Sequence, residues 1–498
     1  MTSKLLADLI ARLDQVQLLR EAVDERVNLR GAPTHDSRRI QPGSLFVAIP
    51  GRVRDGAAFV GEAVARGAVA VLSERPVDAS VPVVLVQDAR AALAHAAAWW
   101  EGDPSDELIA IGVTGTDGKT TTSTFLSTAL TAAGLPTGLV STAINRIGGA
   151  QRGAAAHQTT PEAPELQRTL RQMVEAGDEA VVIESTSHGL ELERVGAIGF
   201  AAAIYTTFSP DHLDFHDSLE HYRAAKAKLV TKTVGSTASQ NRKLPLVVVV
   251  HATDPEVQPF ARAAASAGLH VARFDAYSEH EVLVNGERMT LDLTMPGRIN
   301  AANAAAALTL LSAWGLPLER ARAAIEAEPG PPGRSQIIDS GQPFRVLIDF
   351  AHTGPSLRAA IGVARAMCVP GGRLLLVTGA AGERDRGRRG AIGQAATAAD
   401  EIWIADEDPR GEDPDLIAEE IRTAFLAVAP NRGERLVIQH NRAEAVRLAI
   451  GSARPGDVVL LAGKGHERTI ERRGHDEPWD EEGVARSALA SLGYPPES

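Results

Sequence analysis

Cysteine is almost absent from this sequence: Cys368 is the only one in 498 residues. A single thiol excludes a disulfide within the chain and any cysteine-built metal site. No stretch approaches the roughly 18 to 20 uninterrupted apolar residues of a membrane span. The opening MTSKLLADLIARLDQ alternates charge with apolar residues, as an amphipathic helix does, and carries no apolar segment of a secretion signal. Positive charge is in deficit. The formal net charge is −12, which argues against a broad nucleic-acid surface. An acidic chain that binds anionic small molecules must then concentrate its basic residues locally. Neither low-complexity sequence nor a tandem repeat is present. These absences predict a cytoplasmic protein with no nucleic-acid partner and no stable membrane insertion.

What is present centres on GTDGKTT: Gly115, Thr116, Asp117, Gly118, Lys119, Thr120 and Thr121. The apolar run 108–113 ahead of it has the length and composition of a buried strand. Behind it, Phe125, Leu126, Ala129, Leu130 and Ala133 recur at helical spacing, and Gly134 is placed to end that helix. Strand, glycine loop and helix in that order make a phosphate cradle. The loop N–H groups and helix N-terminus face the anion, Lys119 adds a cation, and the Thr120 hydroxyl suits magnesium. The usual pattern wants glycine five positions before Gly118; Val113 stands there, and Gly115 supplies the turn. The expected ligand is a nucleoside triphosphate.

The length suggests about three domains. Residues 1–105 read as an α/β unit, with strands at 45–49 and 68–72 around a helix at 57–66. Two basic turns there, Asp36-Ser37-Arg38 and Arg52-Val53-Arg54, suit a phosphate-bearing ligand. EGDPSDE, at 101–107, reads as a linker. Residues 106–330 hold the cradle and further strands at 180–183, 201–205 and 246–250. Between them, Thr160 reads as an N-cap with Pro161 at the first helical position, and Gly177 closes that helix. Polar residues at strand ends alternating with helices predict a mostly parallel sheet with the site along that edge. After the boundary PGPPGR, residues 331–498 restart the pattern, with strands at 345–349, 373–378, 401–405 and 458–462. This is a second doubly wound α/β domain.

Glu184 ends a strand downstream of the cradle and is a hard oxygen ligand suited to magnesium shared with phosphates. DHLDFH offers Asp211, His212, Asp214 and His216, but no cysteine or spaced histidine pair completes a zinc site. His212 reads as a magnesium or substrate ligand. Lys226 and Lys228 in EHYRAAKAKLV read, from the residues alone, as exposed helix lysines.

In order, GTDGKTT, TTP, ESTSHGLELER, DHLDFH, AAK, MPGRINAANAAAA, PPGR, DFAHT, GERDRG, EDPR and GKGHE resemble the Mur ligase family across nearly the whole chain. They are most similar to its branch that adds the third residue of the peptidoglycan stem peptide. The resemblance implies three domains: a central P-loop parallel-sheet ATPase domain, an N-terminal UDP-binding α/β domain, and a C-terminal Rossmann-like domain for the incoming amino acid. It implies a monomeric, ATP- and magnesium-dependent ligase joining a diamino acid to UDP-MurNAc-L-Ala-D-Glu through an acyl phosphate. Lys119, Glu184, His212 and Lys226 would carry catalysis. Thr120, Glu184, His212 and a carbamylated Lys226 would hold metal, which makes Lys226 rather than Lys228 the functional lysine. Asn300 would contact the base, with Arg334, Asp349 and His352 near ribose and phosphates. Ser37 and the Arg52, Val53, Arg54 turn would hold the UDP portion. Thr159, Thr160, Thr186 and Arg194 would hold the muramoyl dipeptide. Arg384, Glu407, Asp408, Pro409, Arg410, Gly465 and Glu467 would form the amino-acid pocket.

Three positions depart from the family pattern. Asp117 stands where asparagine is usual and places a negative charge near phosphates. HATD keeps only Asp254 of the usual Asn-x-Asp-Asp. EDPR replaces DNPR: Asp408 would favour a bare ammonium, as on lysine or ornithine, while Arg410 keeps a fork for the distal carboxylate of diaminopimelate. Arg410 tips the expectation to meso-diaminopimelate. The competing readings are a folylpolyglutamate-synthetase-like ligase, a P-loop switch or motor NTPase, and a non-catalytic nucleotide-binding protein.

Overall fold

The computed structural model describes residues 3–21, 26–51, 54–153, 158–212, 215–383 and 386–495. Three sheets follow one another along the chain, each flanked by helices. The first orders its strands Leu19–Glu21, Val83–Val86, Ala70–Ser73, Leu45–Ala48, parallel except for the first pair. The helices Leu6–Gln15 and Ala89–Trp100 bury Leu6, Leu9, Leu13, Ala92, Leu93 and Ala96 against it.

The central sheet has ten strands, and its six middle ones are parallel. They run Thr137–Val140, Ala180–Glu184, Ile109–Thr114, Phe200–Tyr205, Val247–His251, His270–Ala276. The strand before the glycine loop therefore lies in the middle. Its alternation decides what packs on each face. Ile109, Ile111 and Val113 meet Phe125, Leu126, Ala129 and Leu130 of the helix Lys119–Ala132. Ala110 points the other way, into the core shared with Leu229 and Val230. A Cβ at Gly112 would stand 2.6 Å from Leu229 Cδ1, so the glycine lets the helix Leu219–Thr231 approach closely. That approach brings Lys226 up to the loop. The alanine-rich helix Arg298–Ala313 is apolar nearly all round because it is buried against both the helix Lys119–Ala132 and the strand His270–Ala276.

An antiparallel pair extends this sheet at each edge, beyond the parallel set expected. Ile144–Ile147 and Ala150–Gly153 turn at Gly148 and Gly149, both at positive φ. Glu281–Val284 and Glu287–Thr290 turn at Asn285-Gly286, also both at positive φ, the Asn-Gly chemistry of a tight hairpin. The helix expected to start at Thr160 and Pro161 instead spans Ala163–Glu175, with Pro164 in its first turn. Thr160 is occupied elsewhere: its hydroxyl donates to the Glu184 carbonyl at 2.8 Å.

The third sheet runs Gln336–Ile338, Arg345–Asp349, Val458–Ala462, Leu374–Thr378, Glu401–Ile404, Leu436–Ile438, parallel except for its first pair. A separate hairpin, Thr469–Arg472 with His475–Pro478, lies beyond its C-terminal edge. Beneath it a fully buried ion pair joins two helices. Arg442 donates to Glu481 at 2.9 and 2.7 Å and to the Ala462 carbonyl at 2.8 Å, and Trp479 Nε1 adds a bond to Glu481. Removing one partner strands the other charge, so Arg442→Met should cost about 3–5 kcal/mol. Arg442→Met with Glu481→Leu should recover at least half of that loss in thermal denaturation. A single variant melting with the wild type would refute this account of the pair.

Candidate active site

The glycine loop leaves the C-terminal end of the strand Ile109–Thr114 and enters the helix Lys119–Ala132 through Gly118, at φ 83°. It is held in shape by its neighbour strand's extension. Thr116 N donates to Thr207 O at 2.9 Å, Asp117 N to Thr207 Oγ1 at 3.0 Å, and Thr206 Oγ1 to Asp117 O at 2.6 Å. Lys119 Nζ folds over the loop onto the carbonyls of Gly115 and Thr116, at 3.2 and 2.8 Å. Thr121 is buried on the helix behind them.

Thr120 Oγ1 lies 3.1 and 3.2 Å from the two carboxylate oxygens of Glu184, which is 1% exposed. Thr142 donates to Glu184 Oε2 from its backbone N–H and its hydroxyl, at 3.0 and 3.1 Å. The hydroxyls continue outward. Thr142 Oγ1 bonds Thr159 Oγ1 at 2.9 Å; Thr160 Oγ1 bonds Thr186 Oγ1 at 3.0 Å; Arg194 Nη1 donates to Thr160 O at 3.0 Å. Thr186 also caps Ser187–Glu191 by accepting from Gly189 N, and Arg194 pairs with Glu162. Four expected dipeptide residues thus gather on one side of Glu184.

On the other side stand His212 and Lys226. His212, at φ 54°, has Nε2 3.5 Å from Asp211 and its ring 4.8 Å from that of His188; burial pushes its imidazole down to about 3. Lys226 is 2% exposed and donates to Gly115 O at 2.7 Å, with Nζ 4.6 Å from the Tyr222 ring. Burial, and then the Lys119 charge, hold its amine well below the ordinary lysine value. Lys228 is different: it pairs at the surface with Glu191 and Glu193. Both His212 and Lys226 lie within electrostatic reach of Lys119. Among the described residues, the side-chain hydrogen bonds of Thr120 and Glu184 run to one another, to Thr142 and to Arg334 rather than to either of these two. Among the described residues, no three His, Cys, Asp or Glu side chains are grouped as a metal site. Leu213 and Asp214 lie outside the described residues.

The third sheet presents its C-terminal edge to this cradle. Arg334 Nη2 lies 3.5 Å from Thr120 Oγ1, and its guanidinium stacks on Phe350 at 4.4 Å. Asp349 ends its strand and accepts from Ser335 N at 2.7 Å and Ala351 N at 2.8 Å. His352 Nδ1 lies 2.9 Å from Phe350 O, and burial pushes its imidazole down to about 4. Asn300 donates to Pro296 O at 2.7 Å and lies on the helix beside the loop. Asp117, the unusual residue of the loop, faces this edge. Burial pushes its carboxyl up, Asp211 and Asp349 push the same way, and Lys119 and Arg334 oppose them.

Ser37 bonds Glu62 at 3.1 Å in the first unit, and Arg54 of the same unit is exposed. Arg52, Val53 and Arg384 lie outside the described residues. Glu407, Asp408, Pro409 and Arg410 form the loop after Glu401–Ile404; Gly465 and Glu467 belong to the loop after Val458–Ala462.

The sequence profile described as "Mur ligase middle domain" matches residues 113–311, "Mur ligase, glutamate ligase domain" matches 333–465, and "Mur ligase family, catalytic domain" matches 34–100. The chain belongs to the Mur ligase family. It is 41% identical over 483 residues to a UDP-N-acetylmuramyl-tripeptide synthetase of Roseiflexus sp. (strain RS-1), covering 92% of this chain and 94% of that one. It is 37% identical over 476 residues to a UDP-N-acetylmuramoyl-L-alanyl-D-glutamate–2,6-diaminopimelate ligase of Geobacillus kaustophilus, covering 92% and 94%. A solved structure of a UDP-N-acetylmuramoyl-L-alanyl-D-glutamate–2,6-diaminopimelate ligase has the same fold, with a TM-score of 0.65 at 24% identity over 99% of this chain and 100% of that chain.

In this Mur ligase several residues at the junction carried no readable signal. Arg388, on the helix Gly387–Ala396, pairs with Asp211 across 177 positions of sequence. Thr142 belongs to no motif quoted above, and Tyr222 OH, 3.1 Å from Thr116 Oγ1, sits in a helix that reads as ordinary. Lys464 did lie inside GKGHE, where its neighbours drew the attention. The loop geometry itself is testable. A Cβ at Gly118 would stand 2.5 Å from Asn303 Oδ1 at a φ of +83°, whereas Gly134, at +91°, has open space around it. Both substitutions to alanine carry a left-handed penalty of roughly 1–2 kcal/mol. Gly118→Ala should also lose nucleotide binding in equilibrium titration, and Gly134→Ala should keep it; equal binding by the two variants would contradict this geometry.

Proposed function

We propose that the chain joins a diamino acid, meso-diaminopimelate, to UDP-MurNAc-L-Ala-D-Glu at the expense of ATP. One observation carries the reading. Glu184 touches Thr120 of the phosphate cradle and, through Thr142 and its own carbonyl, the Thr159, Thr160, Thr186 and Arg194 set. Phosphoryl donor and carboxylate acceptor would therefore meet on either side of one buried acid. The relatives' names, a tripeptide synthetase and diaminopimelate ligases, support the same reaction and give no support to a folate substrate.

The chemistry asks for cations between two anions. A carboxylate oxygen of the D-Glu residue attacks the γ-phosphorus and ADP leaves, giving an acyl phosphate. The amine of the incoming amino acid then attacks the acyl carbon, phosphate leaves, and the amine gives up a proton. Lys119 and Arg334 are the chain's own cations for the phosphates, and Arg388 lies at the same junction. Arg410 would hold the distal carboxylate. Magnesium fits the donor set, because Thr120 Oγ1 and the Glu184 carboxylate are hard oxygens already turned toward each other. When bound it would neutralise charge on the phosphates. His212 and Lys226 would serve a second ion. A neutral amine is the form that takes up carbon dioxide, and Lys226, sealed beside Gly115 O, suits that form. Asn300, Asp349 and His352 would complete the nucleotide side, with Ser37, Arg52, Val53 and Arg54 holding the UDP portion. This assigns residues 1–105 to the UDP substrate, 106–330 to ATP and 331–498 to the amino acid, in a cytoplasmic monomer. No helix among the described residues is long and apolar enough to cross a membrane.

Incubated with UDP-MurNAc-L-Ala-D-Glu, the chain should release ADP and phosphate only when a diamino acid is also supplied. Mass spectrometry should find the diaminopimelate adduct dominant over those of lysine and ornithine. Robust ATP hydrolysis with neither substrate would end the ligase reading. Lys226→Ala should abolish ligation and regain part of it in formate or acetate; an inactive, unrescued variant that still binds both nucleotides would count against the carbamate.

A further inference from the structure

The two loops that face each other beyond the strands Glu401–Ile404 and Val458–Ala462 are joined by one buried lysine. Lys464, 1% exposed, places Nζ 2.9 Å from Asp408 Oδ1 and 2.5 Å from Glu467 Oε2. Asp408 Oδ1 also accepts the backbone N–H of Glu471 at 2.9 Å, from the hairpin strand Thr469–Arg472. Asp408 is therefore held from within by an ammonium and an amide. Arg410 is held differently. At φ 53° it exchanges backbone bonds with Glu471 and Arg473, and Glu471 Oε2 accepts from Nε at 3.0 Å. Nη1 reaches Gly382 O at 3.3 Å. Glu407 completes the group; burial pushes its carboxyl up to about 7. Arg442, which also acts on Glu407, is paired with Glu481.

These contacts change what the acid of EDPR can do. A carboxylate free beside the far end of a diamino acid would attract an ammonium and repel a second carboxylate. A carboxylate bonded to a buried ammonium and a backbone N–H does both less strongly, because part of its charge is offset at the distance of a third group, although the same ammonium also serves Glu467.

We propose that Lys464 sets which diamino acid the chain accepts. It holds Asp408 and Glu467 as internal partners and so lowers the negative charge that the far end of the incoming side chain meets beside Arg410. Lys464 is a positioning residue, and the proposal rests on reading these loops as the amino-acid pocket. The observable is the ratio of kcat/KM for meso-diaminopimelate over that for L-lysine, with KM and kcat resolved.

The full-length chain is assayed as wild type, Lys464→Met, Lys464→Arg and Asp408→Asn. Lys464→Met uncovers two acids, so the ratio should fall at least about tenfold, mainly through KM for diaminopimelate. Lys464→Arg keeps the charge and should restore most of the ratio. Asp408→Asn frees Lys464 from one acid and should raise the ratio. A ratio unmoved or lowered by Asp408→Asn overturns the proposal. A ratio unmoved by Lys464→Met overturns it too. Should Lys464→Met fail to fold, Lys464→Gln takes its place, with the same fall in the ratio expected and an unmoved ratio overturning the proposal. A wild type that joins neither amino acid to the UDP-linked dipeptide would remove the functional reading itself.

Discussion

A buried carboxylate at the end of a strand is the constraint on which the junction depends. Glu184 is sealed from water, and an acid in that position is stable only when its oxygens are satisfied. Thr120 approaches from the P-loop helix and Thr142 from the loop after Thr137–Val140. Those two elements can reach it only if Ala180–Glu184 lies between Thr137–Val140 and Ile109–Thr114, which is the strand order found. The same acid is where the threonine hydroxyls of the Thr159, Thr160 and Thr186 side meet the P-loop helix.

Around it a chain of net charge −12 gathers its cations. Lys119 and Lys226 come from the central sheet's own loop and helix, while Arg334 and Arg388 arrive with the third sheet. Acids come with them, Asp117, Asp211 and Asp349 among them. Asp117 is less anomalous in this setting than in the sequence, because Lys119 and Arg334 face it. Burial, and with it the two extra acids, nonetheless pushes its carboxyl up, so a phosphate brought beside it relies on those two cations. Arg388 and Asp211 tie the third sheet to the loop that carries His212, so the position of that sheet bears directly on the proposed metal side. A junction built from two separate sheets is suited to closing over a water-sensitive acyl phosphate.

The loops proposed to receive the amino acid show how a local pattern can mislead about charge. EDPR taken alone puts an acid beside an arginine and leaves lysine, ornithine and diaminopimelate in contention. In the fold the acid belongs to Lys464, 56 positions away, and the arginine leans on Glu471 of a hairpin. What a substrate meets is the remainder after those pairings.

Much of this protein was legible in its residues. Short continuous apolar runs and glycine punctuation located most of the parallel strands to within a residue or two, since burial on both faces leaves little choice of residue type, while Val83–Val86, Thr137–Val140, His270–Ala276 and Leu436–Ile438 went unread. The P-loop, its lysine and its hydroxyl follow from local backbone chemistry, and the order of motifs identified the family. The edge hairpins were also in principle readable, at Gly148-Gly149 and Asn285-Gly286. Other facts belong to the tertiary structure alone. That Thr160 joins Glu184 and Thr186 rather than capping a helix depends on two strand ends lying side by side. That Lys226 is buried and Lys228 paired at the surface depends on which face of the helix Leu219–Thr231 meets Gly112, and nothing in AAKAK distinguishes them. Arg388 on Asp211 and Lys464 on Asp408 join residues far apart in the chain, and periodicity carries no information about contacts of that kind. Sequence determines which residues can form a strand, a turn or a cradle. Only the packing of one sheet edge against another decides which charges are left for a ligand.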